Sequence, residues 1–310
     1  VERIPADGGR QVRKYRIHMT DIHRIIMFGY MICNKKDLTA EKRPFRIEGE
    51  NYYGPGVGDM KNGDLAMFHI AANLPETEKK CLNIAMVYNP DEEIGSIYSK
   101  EITDRIGCQA DHIFVMESAG KNGTRHCFAR KGSLTYDIEF QGQAAHAGFM
   151  FEVENASAVL EMGHYIVELM SLADREKDTT VNVGIANGGT ARNVVADHAK
   201  ISVEMRFRDD SERIRLKEYV NKITEGQPFV PGVKTTITMQ KETPPFIKTE
   251  EAKKYIERVR KVAEEQGIPF EEKDRGGLSD ANHLSRCGNA IVMDGMGPHG
   301  ANDHSEKEYG

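Results

Sequence analysis

Short apolar segments bounded by polar residues recur in the first and last parts of the chain. This pattern is typical of buried strands, and it occurs at residues 24–29, 82–88, 112–116 and 290–293. Between the first two of these segments, residues 63–74 carry apolar side chains at helical spacing. Because a strand, a helix and another strand in succession favour a parallel crossover, the pattern predicts an α/β domain with a mostly parallel sheet flanked by helices.

A different pattern fills the middle of the chain and predicts a second domain of α+β type. Its elements follow the ferredoxin-like order β-α-β-β-α-β. The predicted elements are a strand at 132–140, a helix at 155–172, strands at 180–186 and 199–207, a helix at 211–223 and a strand at 233–239. After the proline-rich segment Thr243-Pro244-Pro245-Phe246, a helix at 250–266 returns to the first pattern.

The order of these patterns predicts an inserted domain. We expect residues 1–127 and 242–310 to form the catalytic domain and residues 128–241 to form the insertion. A chain of 310 residues is long enough for about two domains. The chain begins without a clear strand or helix and stops at Gly310, directly after a candidate ligand segment, which is typical of a truncated product.

Composition and charge narrow the classes of partner and compartment. The net charge of −6 argues against a nucleic acid or an anionic membrane as partner. No apolar run approaches the roughly 20 residues that a membrane span requires. The five cysteines are odd in number and lack CxxC spacing, so we expect reduced thiols in a cytoplasmic protein.

Acids and a histidine lie where candidate strands end, and they suggest a metal centre. These residues are Asp59, Glu92, Glu93, Glu117 and His304. The carboxyl ends of parallel strands meet at one edge of a sheet, and carboxylates with imidazole suit zinc or a similar divalent ion. An isolated acid after a strand is more often solvated surface charge, so the prediction depends on the whole set.

The motifs around these residues resemble those of the di-zinc hydrolases that include glutamate carboxypeptidase, aminoacylase, acetylornithine deacetylase and succinyl-diaminopimelate desuccinylase. The resemblance runs from about Ile25 to the C-terminus. The matching segments, in order, are Gly54-Pro55-Gly56-Val57-Gly58-Asp59-Met60-Lys61, Asp91-Glu92-Glu93-Ile94-Gly95-Ser96, Glu117-Ser118-Ala119, Gly142-Gln143-Ala144-Ala145-His146-Ala147-Gly148, Gly276-Gly277-Leu278-Ser279-Asp280-Ala281-Asn282 and His304-Ser305. Six motifs in the family's order are specific for its fold.

The resemblance implies a division of roles in the catalytic domain. Asp59 would bridge two zinc ions, Glu93 and His304 would complete one site, and Glu117 would belong to the other. Glu92 would be the general base that takes a proton from the attacking water. Cobalt and manganese are alternatives to zinc. The family also holds a cis peptide after the aspartate, so we expect one after Asp59.

The same resemblance assigns roles to the inserted domain. His146 would stabilise the oxyanion of the reacting amide, often across a dimer interface. Arg206 would bind a substrate carboxylate through its guanidinium fork, and Asn193 would touch substrate. The implied partners are a small peptide or N-acyl amino acid and a second copy of the chain, which would dimerise through the insertion at helix 155–172 and its outer strand. Without the motif, His146 and Arg206 would be interpreted as a structural histidine and a surface charge.

One motif of the family is missing. A His-x-Asp pair normally follows the first apolar strand, but here Tyr30 and Ile32 stand at those positions. A phenol with a pKa near 10 is a poor ligand at neutral pH, and isoleucine cannot accept a hydrogen bond. We therefore predict that the Asp59/Glu117 site is weakened while the Asp59/Glu93/His304 site survives. His18 with Asp21, or His23, are rival ligands, but they precede the strand.

Two functions remain open at this point. The first is a metal-dependent hydrolase that cleaves an amide or peptide bond beside a free carboxylate, with activity impaired by Tyr30 and Ile32. The second is a catalytically disabled homologue that dimerises and binds a carboxylate ligand. The intact Glu92, Glu93, Glu117, His146, Arg206 and His304 favour the enzyme.

Overall fold

The structure of the protein is a computed structural model that describes residues 2–5, 11–17, 24–30, 41–120 and 123–310. For the first two of these ranges it describes the backbone alone. The chain divides into two compact units. Unit 1 comprises Val1–Arg130 and Phe246–Gly310, and unit 2 comprises Lys131–Pro245.

Unit 1 is built on a mostly parallel sheet, which confirms the predicted fold class. Strands are numbered along the chain, and their order in the sheet is β1 (Glu2–Pro5), β2 (Gln11–Ile17), β6 (Asn83–Asn89), β3 (Arg24–Tyr30), β7 (His112–Val115) and β14 (Ile291–Met293). β6, β3, β7 and β14 are parallel neighbours, whereas β2 joins β6 antiparallel and β1 joins β2 antiparallel. The parallel arrangement brings the carboxyl ends of the central strands to one edge.

Helices and two small sheets complete unit 1. The helices are α1 (Asn62–Asn73), α2 (Glu76–Lys79), α3 (Lys100–Gly107), α6 (Glu250–Glu265) and α7 (Ala281–Leu284). β4 (Arg46–Glu48) and β5 (Asn51–Tyr53) form an antiparallel hairpin, and β8 (Arg125–His126) pairs in parallel with β13 (Glu271–Glu272). The central strands are buried: Phe28, Val87 and Ile113 are each 0% exposed, because α-helical crossovers cover a parallel sheet on both faces.

Unit 2 has the β-α-β-β-α-β order that the sequence predicts. Its elements are β9 (Gly132–Gln141), α4 (Ala158–Met170), β10 (Thr180–Gly188), β11 (His198–Phe207), α5 (Asp210–Glu225) and β12 (Lys234–Thr243). The strands form an antiparallel sheet in the order β10-β11-β9-β12. Alternate residues of β11 are buried against the helices, which gives unit 2 its own core.

The prediction of no first strand is wrong, because β1 and β2 precede β3. Both are short and contain charged residues, so neither has the continuous apolar run that marks a buried strand in the sequence. Helix α4 begins three residues later than predicted, since the Ser157 hydroxyl caps it by accepting from the Leu160 amide at 3.2 Å.

Within the described residues, no helix combines the length and apolarity needed to cross a lipid bilayer.

Candidate functional site

The candidate site lies at the carboxyl edge of the parallel strands in unit 1. Tyr30 ends β3, Asn89 ends β6, and Glu117 follows β7 by two residues. Asp59 comes from the turn before α1, and Glu92 and Glu93 come from the turn after β6. Loops from neighbouring strand ends meet at this edge, which is why distant segments of sequence supply one site.

Three of the predicted ligands converge. The imidazole Nε2 of His304 lies 2.9 Å from Asp59 Oδ2 and 3.2 Å from Glu93 Oε2. One ligand atom from each of the three residues lies within 4.8 Å of the other two. The carboxylates of Asp59 and Glu93 are 14% and 8% exposed, while His304 is 55% exposed, so the cluster is open to solvent on the histidine side. Two carboxylates and one imidazole form a donor set that suits Zn²⁺.

Glu308 holds the loop that carries Asp59, a role that the sequence analysis missed. Its buried carboxylate accepts hydrogen bonds from the amides of Gly56 at 3.1 Å, Gly58 at 3.1 Å and Asp59 at 3.2 Å. A Cβ at Gly58 would lie 2.8 Å from the Tyr309 carbonyl oxygen, so only glycine permits this approach. The position of Glu308, four residues after His304, was the available signal. The expected cis peptide between Asp59 and Met60 is present.

The acids of the site are crowded, and their pKa values reflect it. Burial, followed by the charges of Asp280, Glu93 and Asp59, raises the pKa of Glu92 well above its usual value. Burial, followed by the charge of Asp59, raises the pKa of Glu93 to about 7. Glu117 has its pKa raised well above normal by burial, then by Asp59 and Glu92. So many carboxylates cannot all ionise together without a compensating cation, and the site therefore fits a bound divalent metal.

Tyr30 contacts the metal-ligand cluster through a hydrogen bond to Asp59. Its hydroxyl donates a short hydrogen bond to Asp59 Oδ1, the oxygen that does not face His304. Burial, followed by the charges of Glu117, Glu92 and Asp59, raises the pKa of the phenol well above its usual value, so Tyr30 is a neutral donor. Among the described residues, Glu117 does not join the three-residue cluster. Ile32 and the rival ligands His18, Asp21 and His23 lie outside the described residues.

A buried ion pair lies beside the acids and was also missed. Arg130 Nε is 2.5 Å from Asp294 Oδ2, and the Ser279 hydroxyl donates to the same carboxylate at 2.7 Å. The positive charge of Arg130 partly offsets the raised pKa values of Glu92 and Glu117. No local sequence pattern marks this pair, because Arg130 and Asp294 are 164 residues apart.

The three predicted residues of unit 2 lie on exposed loops and one strand. His146 and Asn193 are exposed on adjoining segments, joined by a hydrogen bond from the Ala147 amide to the Asn193 carbonyl at 2.9 Å. The His146 ring accepts from the Gly148 amide at 3.1 Å, which fixes its orientation. Arg206 lies on the less buried face of β11 and donates to Glu204 at 2.8 Å.

Comparison with known proteins agrees with the motifs. Residues 128–228 match the family model of the peptidase dimerisation domain of M20 proteins. Carboxypeptidase G2 of Pseudomonas sp. (strain RS-16) is 25% identical over 272 residues, which cover 86% of this chain and 65% of that protein. Acetylornithine deacetylase of Myxococcus xanthus is 28% identical over 165 residues, which cover 50% of this chain and 41% of that protein.

Solved structures share the fold. A tripeptidase from Staphylococcus aureus superposes with a TM-score of 0.79 at 19% identity and covers 97% of this chain and 79% of its own. The aminopeptidase PepT from Bacillus cereus gives a TM-score of 0.76 at 21% identity, with the same coverage of 97% and 79%. At these identities the likeness concerns the fold alone.

Together these matches show that residues 128–228 form a peptidase dimerisation domain of the M20 type and that the chain as a whole is similar to M20 peptidases and deacylases. The chain spans less than two thirds of the length of the curated relatives it matches, for example 65% of carboxypeptidase G2.

Proposed function

We propose that this protein is a metal-dependent hydrolase that cleaves an amide or peptide bond beside a free carboxylate. The observation that carries the proposal is the convergence of Asp59, Glu93 and His304, with Glu92 adjacent in the chain. Family members such as carboxypeptidase G2 and acetylornithine deacetylase bear the names of enzymes that act on such bonds.

Asp59, Glu93 and His304 would hold one divalent cation, and zinc is the metal that their donor set suits best, with cobalt or manganese as alternatives. When bound, the cation would supply Lewis-acid polarisation of the substrate carbonyl and lower the pKa of a water. It would also compensate the negative charge that keeps the neighbouring carboxyl groups protonated.

Glu92 is the general base of the proposed reaction. Burial and the neighbouring acids raise its proton affinity, and once a cation offsets their negative charge the ionised carboxylate can take a proton from the attacking water. The same carboxyl group then returns the proton to the leaving nitrogen. Glu93 follows Glu92 directly, and because successive side chains point in different directions, one can bind the cation while the other moves the proton.

Unit 2 would act as the lid and dimerisation domain, with boundaries near residues 128–241. His146 would donate to the developing oxyanion, Asn193 would contact substrate, and Arg206 would bind the substrate carboxylate in place of Glu204. The exposed positions of His146 and Asn193 support these roles, since both side chains are accessible to a ligand.

Homodimerisation through α4 and β10 is part of the proposal. Large apolar side chains on α4 are exposed: Val167 is 70% and Leu160 is 55% exposed. β10 is the outer strand of the sheet in unit 2, and its unpaired edge can extend across a partner. The match of residues 128–228 to the peptidase dimerisation domain supports dimerisation through unit 2.

The second cation site is weakened in this chain. The Tyr30 hydroxyl donates to one carboxylate oxygen of Asp59, the residue that would also have to serve a second cation, and a protonated phenol offers no ligand charge. We therefore expect one tightly bound cation per chain. This observation also favours the second candidate function, a disabled homologue that dimerises and binds a carboxylate ligand without turnover.

Hydrolysis of a panel of N-acyl amino acids and glutamyl peptides, with zinc and with manganese, tests the proposal. The wild type is compared with Tyr30→His/Ile32→Asp, which restores the family's His-x-Asp pair. Activity in the wild type supports the one-cation hydrolase. Activity in the double variant alone supports the disabled homologue, and activity in neither, with zinc bound to both, would contradict hydrolysis of this substrate class.

A further inference from the structure

A buried chain of polar side chains lies behind the turn that carries Glu92 and Glu93. It runs from Asn89 at the end of β6, through Ser96 and Asp280, to His283 in α7 and Asp104 in α3. Apart from Asp104, which is partly exposed, these side chains are almost fully buried; Asn89 and Asp280 are 1% and 3% exposed. Burying so many polar groups is unfavourable unless their hydrogen bonds are satisfied, so their presence calls for a role.

Asn89 fixes the backbone of the turn. Its side-chain oxygen accepts hydrogen bonds from the amides of Asp91 at 3.2 Å and Glu92 at 3.0 Å. The amide nitrogen of the same side chain therefore faces the other way, where it donates a short hydrogen bond to Asp280 Oδ2. One side chain thus connects the turn to Asp280.

Asp280 is held from both sides. Its Oδ1 accepts from the Ser96 hydroxyl at 2.5 Å, and Ser96 closes the same turn with a left-handed φ of 54°. Its Oδ1 also lies 3.0 Å from His283 Nε2. The carboxylate therefore accepts from Asn89, Ser96 and His283 together, and this fixes its orientation.

His283 joins two carboxylates. Nε2 faces Asp280, and Nδ1 makes a short contact with Asp104 Oδ1. Both partners are acceptors, so both ring nitrogens carry protons and the ring is an imidazolium. Burial alone would lower the pKa of His283, but the hydrogen bonds and charges of Asp104 and Asp280 outweigh it and raise the pKa to about 9. Asp104 also accepts from Lys100 at 2.5 Å.

We infer that Asp280 is a positioning residue: through Asn89 and Ser96 it holds the turn that presents Glu92 and Glu93, and His283 with Asp104 anchors it to α3. This inference rests on the proposed function for its catalytic meaning, although its structural content can be measured without turnover. Partners that orient metal ligands and their loops commonly change metal affinity by roughly 10- to 100-fold when they are replaced.

The sharpest test exchanges the two partners. Asn89→Asp sets two carboxylates against each other. Asp280→Asn replaces one of the two accepting oxygens with an NH2 group, so that a donor faces either Asn89 or the Ser96 and His283 donors. The double variant Asn89→Asp/Asp280→Asn restores an amide opposite a carboxylate, and the new carboxylate at position 89 would still accept from both backbone amides. The matched control is Asn73→Asp, an exposed residue at the end of α1.

The first readout is hydrogen exchange of the peptide spanning residues 89–96 in the metal-free protein, and the second is zinc affinity by competition with a chromogenic chelator. We expect each single variant to exchange roughly tenfold faster, as loss of one charged hydrogen bond of about 1.5 kcal/mol would give, and to bind zinc at least roughly tenfold more weakly. We expect the double variant to recover both values to within about threefold, and kcat to follow with little change in KM.

Single variants that exchange and bind zinc like the wild type, or a double variant no better than the singles, would overturn the inference. Should a single variant fail to fold, Ser96→Ala removes one donor to Asp280 at smaller cost, and wild-type exchange in that variant would overturn it equally. A wild type that cleaves nothing in the substrate panel, with exchange and zinc affinity still lost and recovered as expected, would contradict the proposed function and leave the positioning role standing.

Discussion

Asp64, in the first turn of α1, is a buried carboxylic acid. It is 6% exposed, and among the residues that the structure describes neither of its carboxyl oxygens has a hydrogen-bonding partner. Its carboxyl group packs directly against Gly29 of β3, where a Cβ would lie 2.1 Å from Asp64 Oδ1. Glycine is required there because the acid fills the space. Burial raises the pKa of Asp64 from 3.8 to about 8, with a smaller opposing effect of Lys61.

The direction of the pH dependence follows from this raised pKa. Below pH 3.8 both the folded and the unfolded chain carry the proton, and the acid costs no charge burial. Between that pH and about pH 8 the unfolded chain has lost the proton while the folded chain keeps it, so stability falls as pH rises. The slope is about 1.4 kcal/mol per pH unit, which amounts to roughly 3 kcal/mol between pH 5 and pH 7 and roughly 4 kcal/mol in total at pH 7.

Asp64→Asn removes the titration with little change in shape. We expect the variant to be more stable than the wild type by roughly 1.5 kcal/mol at pH 5, since a protonated acid and an amide are similar in polarity and the unfolded wild type has already lost its proton there. At pH 7 we expect the difference to reach roughly 4 kcal/mol. Urea unfolding followed by circular dichroism at pH 5, 6 and 7, with chelator present, measures the difference.

The exposed Asp197 provides the matched control, because Asp197→Asn changes the same chemical group at the surface of unit 2. Measured in parallel, its difference from the wild type gives the baseline for removing an exposed carboxylate. Parallel stability curves for wild type and Asp64→Asn from pH 5 to pH 7 would refute the reasoning, since they would mean that Asp64 titrates as a solvated acid.

Three further predictions concern the candidate centre and the dimer. Tyr30→Phe removes the donor to Asp59 and should raise the affinity for a second zinc by roughly three- to tenfold, measured by calorimetric titration; an unchanged second affinity would mean that the hydroxyl does not compete. Glu308→Gln removes a carboxylate that accepts hydrogen bonds from three backbone amides. We expect the unfolding free energy to fall by about 2 kcal/mol and zinc binding to weaken, whereas stability equal to the wild type would count against its role. Val167→Glu should convert a dimer to a monomer, measured by light scattering. The control Val262→Glu alters a 51% exposed valine of α6 and should leave the dimer intact. Identical scattering profiles for the two variants would exclude α4 from the interface.

The sequence predicts the central strands and the insertion well because their signals are local. β3 and β6 are buried almost continuously, so each appears as an apolar run. β11 alternates strictly between buried and less buried residues, and its period of two is visible in the sequence. The strands β1 and β2 carry no such signal, because neither charged segment contains a continuous apolar run.

The candidate site is predictable in part for a similar reason. Asp59, Glu92, Glu93, Glu117 and His304 lie in motifs that resemble those of a family, and three of them converge. The residues that support them are invisible to a local pattern: Asn89 meets Asp280 across 191 residues of sequence, and Glu308 reaches back to Gly56 across 252 residues. Such contacts depend on the fold, so only the structure brings them together.

A zinc titration of the metal-free protein, with bound zinc and hydrolysis rate recorded together, tests the central claim most directly. The account predicts that the rate on the best substrate of the panel rises with the first equivalent of zinc and then levels. It also predicts that Glu92→Gln binds this zinc equally well without a comparable rate. A rate indifferent to zinc, or a Glu92→Gln variant as active as the wild type, would contradict the account.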